Sequence, residues 1–387
     1  MQIKKETERV NLRKIKINMK AISILSAFVL TNTLICQKFP RAIFSPKATS
    51  SIDISDLDVE SMQIKNKIFL ASNNNNEQST NLTDQQNTST ETIVISFAGD
   101  CTLGNDKKVT YFDDMVSEQK KDYTYFFRNV RNIFESDDYT LVNLETTFTD
   151  ATQYAEKQFN FKGDYEYVNI LKEGNIEGVN ISNNHTKDYL EKGYTDTLNT
   201  LKNADIDYSG DDYIHIEKIK NVKIGFIGFK NANLSIENID EKLTQLKKYN
   251  PEIIVASCHW GIEGTNEFNQ EQQNFAHYLI DNGADIVIGH HPHVLQGIEE
   301  YKGKHIIYSL GNFCFGGNRN PNDKDSMIIQ ETFNIKNGKL TNNEIKIIPC
   351  SISSVANTNN FQPTPLSGKE KERVLNKVLK YSYNFEY

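Results

Sequence analysis

The sequence has no excess of positive charge. Its 387 residues carry 43 Lys and Arg against 51 Asp and Glu, a formal net charge of −8. A general nucleic-acid binder shows a basic face, so that class is excluded. An anionic substrate would need a local metal ion or a few placed cations. Paired cysteines are missing too. Cys36, Cys101, Cys258, Cys314 and Cys350 lie far apart with no C-x-x-C, and the odd count gives no disulfide framework. The last four stand in or beside apolar runs and read as small buried side chains. No internal repeat recurs. Gly99 and Gly104 have the glycine spacing of a phosphate loop, but Asn105 and Asp106 stand where Lys and Ser or Thr are required.

Long apolar runs are scarce. Ala21 to Ile35 is mostly apolar, short of the roughly 20 residues of a spanning helix, and reaching Gln37 makes a marginal span. Residues 1–20 are basic, with Lys4, Lys5, Arg9, Arg13, Lys14, Lys16 and Lys20. A basic region ahead of an apolar one is the pattern of an export signal. No Ala-x-Ala site follows, and bulky Ile35 stands before Cys36 where a lipoprotein site wants a small residue. The expectation is a cytoplasmic basic tail over 1–20 and an uncleaved signal anchor, or transmembrane helix, over 21–37. The rest of the chain then faces outward from the cell membrane. Residues 38–91 are polar and without period, and predict a disordered linker.

What the chain does have is 38% hydrophobic and 10% aromatic residues, enough for a real core, in alternating strand-like and helix-like segments. Apolar runs at Thr92–Ala98, Tyr139–Leu144, Gly178–Ser182, Val222–Phe229, Glu252–Ser257, Ile286–Ile288 and His305–Leu310 read as strands. Helical spacing falls at Tyr123–Glu135, Tyr165–Gly174, Gly193–Ala204, Asp240–Tyr249 and Asn269–Asn282. Met327–Ile335 and Lys339–Ile348 predict a hairpin around Asn337-Gly338. The alternation predicts a layered α/β fold over 92–355, followed by a C-terminal tail over 356–387 with a short helix at Lys369–Leu379.

Three of the eight histidines crowd into one loop, His290, His291 and His293, directly after the apolar run Ile286–Ile288. Neutral imidazole is the commonest metal ligand, and sites on α/β sheets sit at strand ends. Other strand ends carry matching chemistry: Asp100, Glu145, Asn184 with His185, and His259. Oxygen and nitrogen donors together suit Mn, Fe or Zn. Six or more ligands exceed one tetrahedral zinc, whereas two divalent ions bridged by a carboxylate would use them all. Such a pair activates water and clamps an ester. His215, His277 and His305 lack this company and read as non-functional.

Phe97-Ala-Gly-Asp100, Asn143-Leu-Glu145, Asn183-Asn-His185, His259-Trp-Gly, Gly289-His-His-Pro-His-Val-Leu-Gln-Gly297 and Tyr308-Ser-Leu-Gly-Asn-Phe313 stand in the order seen in the CapA-like, poly-gamma-glutamate capsule biosynthesis family. That family resembles a branch of the calcineurin-like metallophosphatases. The resemblance covers roughly 92–315. It implies a four-layer α/β/β/α sandwich with a dinuclear metal cleft. It also implies a membrane-anchored, outward-facing protein serving capsule polymer synthesis or export, with an anionic polymer and membrane-bound synthase or exporter subunits as partners. Carried over, Asp100 sits on the first metal, Glu145 takes the place of the bridging aspartate, and Asn184 ligates the second metal. His185 protonates a leaving group. His259, His291 and His293 complete the shells, with His290 as a register alternative. Asn143, His290 and Asn312 are candidates for substrate contacts. One position departs: metallophosphatases carry a histidine two residues after the first aspartate, and here it is Thr102. The implied activity is metal-dependent hydrolysis. The other reading is a non-catalytic polymer-binding component of a synthase or export complex.

Overall fold

The computed structural model describes residues 90–387; the expected tail, anchor and almost all of the linker lie outside the described residues. The first strand, β1 (Thr90–Thr102), shows how the layers are built. Its side chains alternate with the period of two that a pleated strand imposes. Ile93, Ile95 and Phe97 enter one core, while Ala98 and, beyond a bulge, Cys101 enter another. The chain continues through β2 (Asn105–Asp106), α1 (Tyr111–Glu118), α2 (Thr124–Phe127), α3 (Arg131–Phe134), β3 (Tyr139–Leu144), β4 (Thr147–Phe148) and β5 (Phe161–Gly163). Next come α4 (Val168–Glu173), β6 (Gly178–Asn180), α5 (Leu190–Asn203), β7 (Asp207–Ser209), β8 (His215–Ile219) and β9 (Val222–Lys230). Then follow α6 (Ile236–Lys247), β10 (Ile253–His259), α7 (Gln270–Asp281), β11 (Ile286–His290), β12 (Ile298–Tyr301) and β13 (Lys304–Ile307). The last elements are β14 (Asn312–Phe315), β15 (Asp325–Lys336), β16 (Lys339–Ser351), β17 (Thr364–Pro365) and α8 (Gly368–Lys380).

Two large sheets result. One has the order β17-β16-β15-β1-β3-β6-β7, with β14 also paired to β1; the other has the order β12-β13-β11-β10-β9-β8. They share a core in which Ile93, Ile95 and Phe97 meet Ile224, Phe226, Val255 and Ile288. The opposite faces are covered by helices. Phe112, Phe126, Phe127 and Phe134 pack on the first sheet, and Ile239, Leu243, Ala276 and Leu279 on the second. The layers therefore run helix, sheet, sheet, helix, an α/β fold. Within the first sheet β1, β3, β6 and β7 are mutually parallel, as are β9, β10, β11 and β13 in the second. Parallel pairing places the C-terminal ends of neighbouring strands at one edge, where α/β proteins bind ligands.

The single helix expected over Tyr123–Glu135 is two short turns, α2 and α3. Bonds from Val130 N to Phe127 O (3.0 Å) and Ile133 N to Val130 O (2.8 Å) tighten the backbone between them. The helix α1, not among those expected, buries Phe112, Met115 and Val116 within one turn. The hairpin of β15 and β16 turns at Asn337 and Gly338, with φ of 53° and 70°, the left-handed pair that a tight hairpin needs. The boundary at 355 is corrected. Phe361 is fully buried among the helices of the first sheet, β17 pairs with β16, and Val374 and Val378 of α8 enter the inter-sheet core. Arg373 grips Asp325 through two bonds of 2.9 and 2.6 Å. At the other end, Thr90 and Glu91 pair with Lys336 and Ile335, so the strand begins inside the expected linker.

If α8 belongs to the fold, replacing Val374 and Val378 together by alanine should lower the unfolding free energy by roughly 3–5 kcal/mol. Urea titration reads this directly, and an unchanged midpoint would return the segment to a loose tail. A second prediction concerns pH. Glu177 accepts from Thr140 N at 2.8 Å and Asn175 Nδ2 at 3.1 Å, and burial pushes its carboxyl up to about 7. In the unfolded chain the value is near 4.3. The folded state thus holds the proton more tightly, and this contribution is full below about pH 4 and lost as pH rises through 7. Glu177→Gln should therefore gain stability relative to the parent between pH 4 and pH 8. A difference independent of pH would refute it.

Candidate metal centre

Asp100 is set by a bulge. The pairing of β1 with β3 shifts between Ala98 and Asp100, which re-aims the side chain at the strand end. Gly99 makes the approach possible: a Cβ there would lie 2.0 Å from Gly311 O. Asp100 N donates to the same carbonyl at 2.9 Å. The carboxylate is fully buried. It receives Asn143 Nδ2 at 2.8 Å and the backbone N of His291 at 3.2 Å. His290 Nδ1 and His293 Nδ1 lie 3.4 and 3.3 Å from its oxygens. Burial alone would raise its pKa, but the bonds from His290 and His293 hold it well below the usual carboxylate range.

The histidine loop leaves β11 in a strained form. His291 and His293 have φ of 97° and 58°, the left-handed region that residues with a side chain rarely occupy. His293 Nδ1 donates to Asn312 Oδ1 at 2.9 Å, which turns Nε2 toward Glu145 Oε1 at 3.8 Å. From the other sheet face, His259 Nε2 lies 3.5 Å from Glu145 Oε1 and 2.9 Å from Asn184 Oδ1. Asn184 is held at the surface of a turn in which Asn183 Nδ2 donates to Leu144 O at 2.8 Å. His185 closes the group, with Nε2 3.9 Å from Glu145 Oε1 and Nδ1 donating to Asp188 Oδ2 at 2.7 Å.

Glu145 sits at the middle of this ring. It is fully buried, and neither carboxylate oxygen has a hydrogen-bond partner. Burial and then the charge of Asp100 push its pKa well above the ordinary value. Burial pulls His259 and His291 down and keeps them neutral. His293 goes the other way, to about 10: burial opposes its charge, but Glu145 and Asp100 outweigh it. Two donor groups share Glu145, one with Asp100 and His293 and one with His259 and His291, each with ligand atoms within 4.8 Å of one another. Unpartnered buried carboxylate oxygens facing neutral imidazole nitrogens fit a transition-metal ion.

With this geometry in hand, the sequence matches the family model for the bacterial capsule synthesis protein PGA_cap over residues 94–317. The chain belongs to the PGA_cap family. It is 33% identical over 272 residues to the capsule biosynthesis protein CapA of Bacillus anthracis, covering 62% of this chain and 64% of that one. It is also 33% identical over 269 residues to the PGA biosynthesis protein CapA of Bacillus subtilis, covering 62% and 68%. The match thus spans about two thirds of the length of these relatives.

In this PGA_cap chain Asp100, Glu145, Asn184, His185, His259, His291 and His293 converge as expected. Three expectations change. Asn143 is fully buried: Nδ2 holds Asp100, and Oδ1 accepts from Asn180 Nδ2 at 2.9 Å. It holds the Asp100 carboxylate and is closed to the cleft. His290 ends β11 at 1% exposure, behind Asp100, and cannot reach a substrate. Asn312 lines the cleft, but both ends of its amide are engaged by His293. One residue escaped the sequence reading. Asp188 is buried and orients His185, joined by the ammonium of Lys157; an acid three residues after a histidine in a turn was the available signal. Thr102 is buried with its hydroxyl unpartnered, so the Asp100 side is poorer in nitrogen.

Chelator-stripped protein loaded in turn with Mn, Fe and Zn should retain metal by elemental analysis. Glu145→Gln and His291→Ala should each lower that content. His277→Ala should not, because His277 is engaged elsewhere, 2.8 Å from Glu299. Equal metal content in all four proteins would refute the assignment.

Proposed function

We propose that this protein is a metal-dependent hydrolase serving synthesis of a poly-gamma-glutamate type capsule. In this reading its basic and apolar N-terminal segments anchor it in the cell membrane with the domain outside. The names of its CapA relatives support the capsule role. Among the described residues no helix is long and apolar enough to cross a membrane, so the anchor rests on the sequence of residues 1–37. The observation that carries the enzymatic reading is Glu145, a buried carboxylate without partners, ringed by imidazoles beside an open cleft of about 760 Å³. Asp100, Glu145 and His293 would hold one ion, and Glu145, Asn184, His259 and His291 a second. When bound, such a pair supplies Lewis-acid polarisation and a nucleophile at neutral pH.

The chain's own residues then position and protonate. His185 lines the cleft. Burial lowers its pKa while Asp188 raises it. With Nδ1–H committed to Asp188, Nε2 is the atom that exchanges a proton with a leaving group, and Asp188 stabilises the imidazolium. Phe161, with its ring centre 4.4 Å from that of His185, walls the imidazole on one side. The reacting bond is a phosphoester, ester or amide of an anionic polymer. The bare Thr102 side favours the other reading, a polymer-binding component of a synthase or exporter.

His185→Ala should keep its metal and lose hydrolytic turnover by about 10²–10⁴-fold. The assay runs the metal-loaded parent and variant against phosphoesters and poly-gamma-glutamate. A parent without turnover on any of these would favour the binding component. An unchanged rate in the variant would remove His185 from proton transfer.

A further inference from the structure

The loop after β10 brings one more carboxylate to the centre. Glu263 follows His259 by four residues and is exposed. One of its oxygens lies with ring nitrogens of His291 and His293 so that all three are within 4.8 Å of one another. Its loop is fixed against the histidine loop. Gly264 N donates to Pro292 O at 2.8 Å, and Asn266 Nδ2 donates to Leu295 O at 2.8 Å. Glu263 lines the same cleft as His185 and His293. Its charge also acts inside the site, among the causes that raise Glu145 and His293. A second observation points to a ligand here: His291 Nδ1 is buried without a hydrogen-bond partner.

We infer that Glu263 is a ligand of the metal centre, entering from the cleft side at the edge formed by His291 and His293. This rests on the reading that Glu145 and its neighbours bind metal. Its chemistry follows from charge and donor type. Asp100 and Glu145 bring two negative charges to two divalent ions, leaving an excess of two positive charges. Glu263 reduces the excess to one. A third carboxylate adds a hard oxygen donor to the set, which shifts preference toward Mn or Fe over Zn. Glu263 is exposed while Glu145 is fully buried, so loss of Glu263 would weaken one ion and leave the ring around Glu145 intact.

Calorimetric titration of Mn²⁺ into the chelator-stripped full chain tests this with the parent, Glu263→Gln and Glu263→Asp. The parent should take two ions. Glu263→Gln should take one with little change and the other at least about tenfold more weakly. Glu263→Asp should fall between. Melting of the metal-free proteins should be the same, and only the rise on adding Mn²⁺ should shrink in Glu263→Gln. Parent-like binding of both ions by Glu263→Gln would overturn the inference and leave the hydrolase reading standing. Equal destabilisation with and without Mn²⁺ would overturn it as well, by showing a structural role. A parent that binds no ion would overturn both.

Discussion

A carboxylate in the interior with nothing to bond to is the feature around which this molecule is arranged. Glu145 has no exposure, and both of its oxygens are unpartnered. Leaving a charge in that state costs several kcal/mol, so the surroundings must either neutralise it or meet it with positive charge. Of the imidazoles that face it, His259, His291, His293 and His185, His293 alone is shifted toward its charged form. Burial keeps three of them neutral and ready to offer lone pairs. The arrangement is unfavourable as a set of side chains and favourable as a set of ligands.

The fold is what brings those side chains together. Parallel strands from two sheets end at one edge, so short polar segments after β1, β3, β6, β10 and β11 meet although they are separated by up to about two hundred residues. The inter-sheet core, from Phe97 to Phe226 and Ile288, holds the two edges at fixed distance. Second contacts then set each side chain: Asn143 on Asp100, Asn312 on His293, Asp188 on His185. Such orienting partners commonly matter almost as much as the ligands they hold. The left-handed φ of His291 and His293 shows that local backbone preference was overridden to place two rings in the site.

Much of this was legible in the sequence because each of these side chains follows an apolar run of strand length, and the end of a run is visible without the fold. The ends of the runs led to Asp100, Glu145, His185, His259, His291 and His293. What failed has a common cause. Asn143 and His290 lie within strands, and which face a residue takes depends on bulges and register that composition does not reveal. Asp188 meets His185 within one turn, and its burial comes from the segment Ala155–Phe161, with Phe161 N donating to its carboxylate at 2.5 Å. Glu263 belongs to the site through a loop-to-loop bond from Gly264 to Pro292. The burial of α8 was hidden because its apolar face, Val374, Leu375, Val378 and Leu379, does not say which surface it covers, and its docking depends on Arg373 and Asp325, 48 residues apart.

The most direct measurement is anomalous diffraction at the manganese edge from crystals of the protein loaded with Mn²⁺. The account predicts two peaks, one within bonding distance of Asp100, Glu145 and His293 and one within bonding distance of Glu145, His259 and His291. A density map with no peak within bonding distance of Glu145, in crystals that show Mn²⁺ elsewhere, would contradict it.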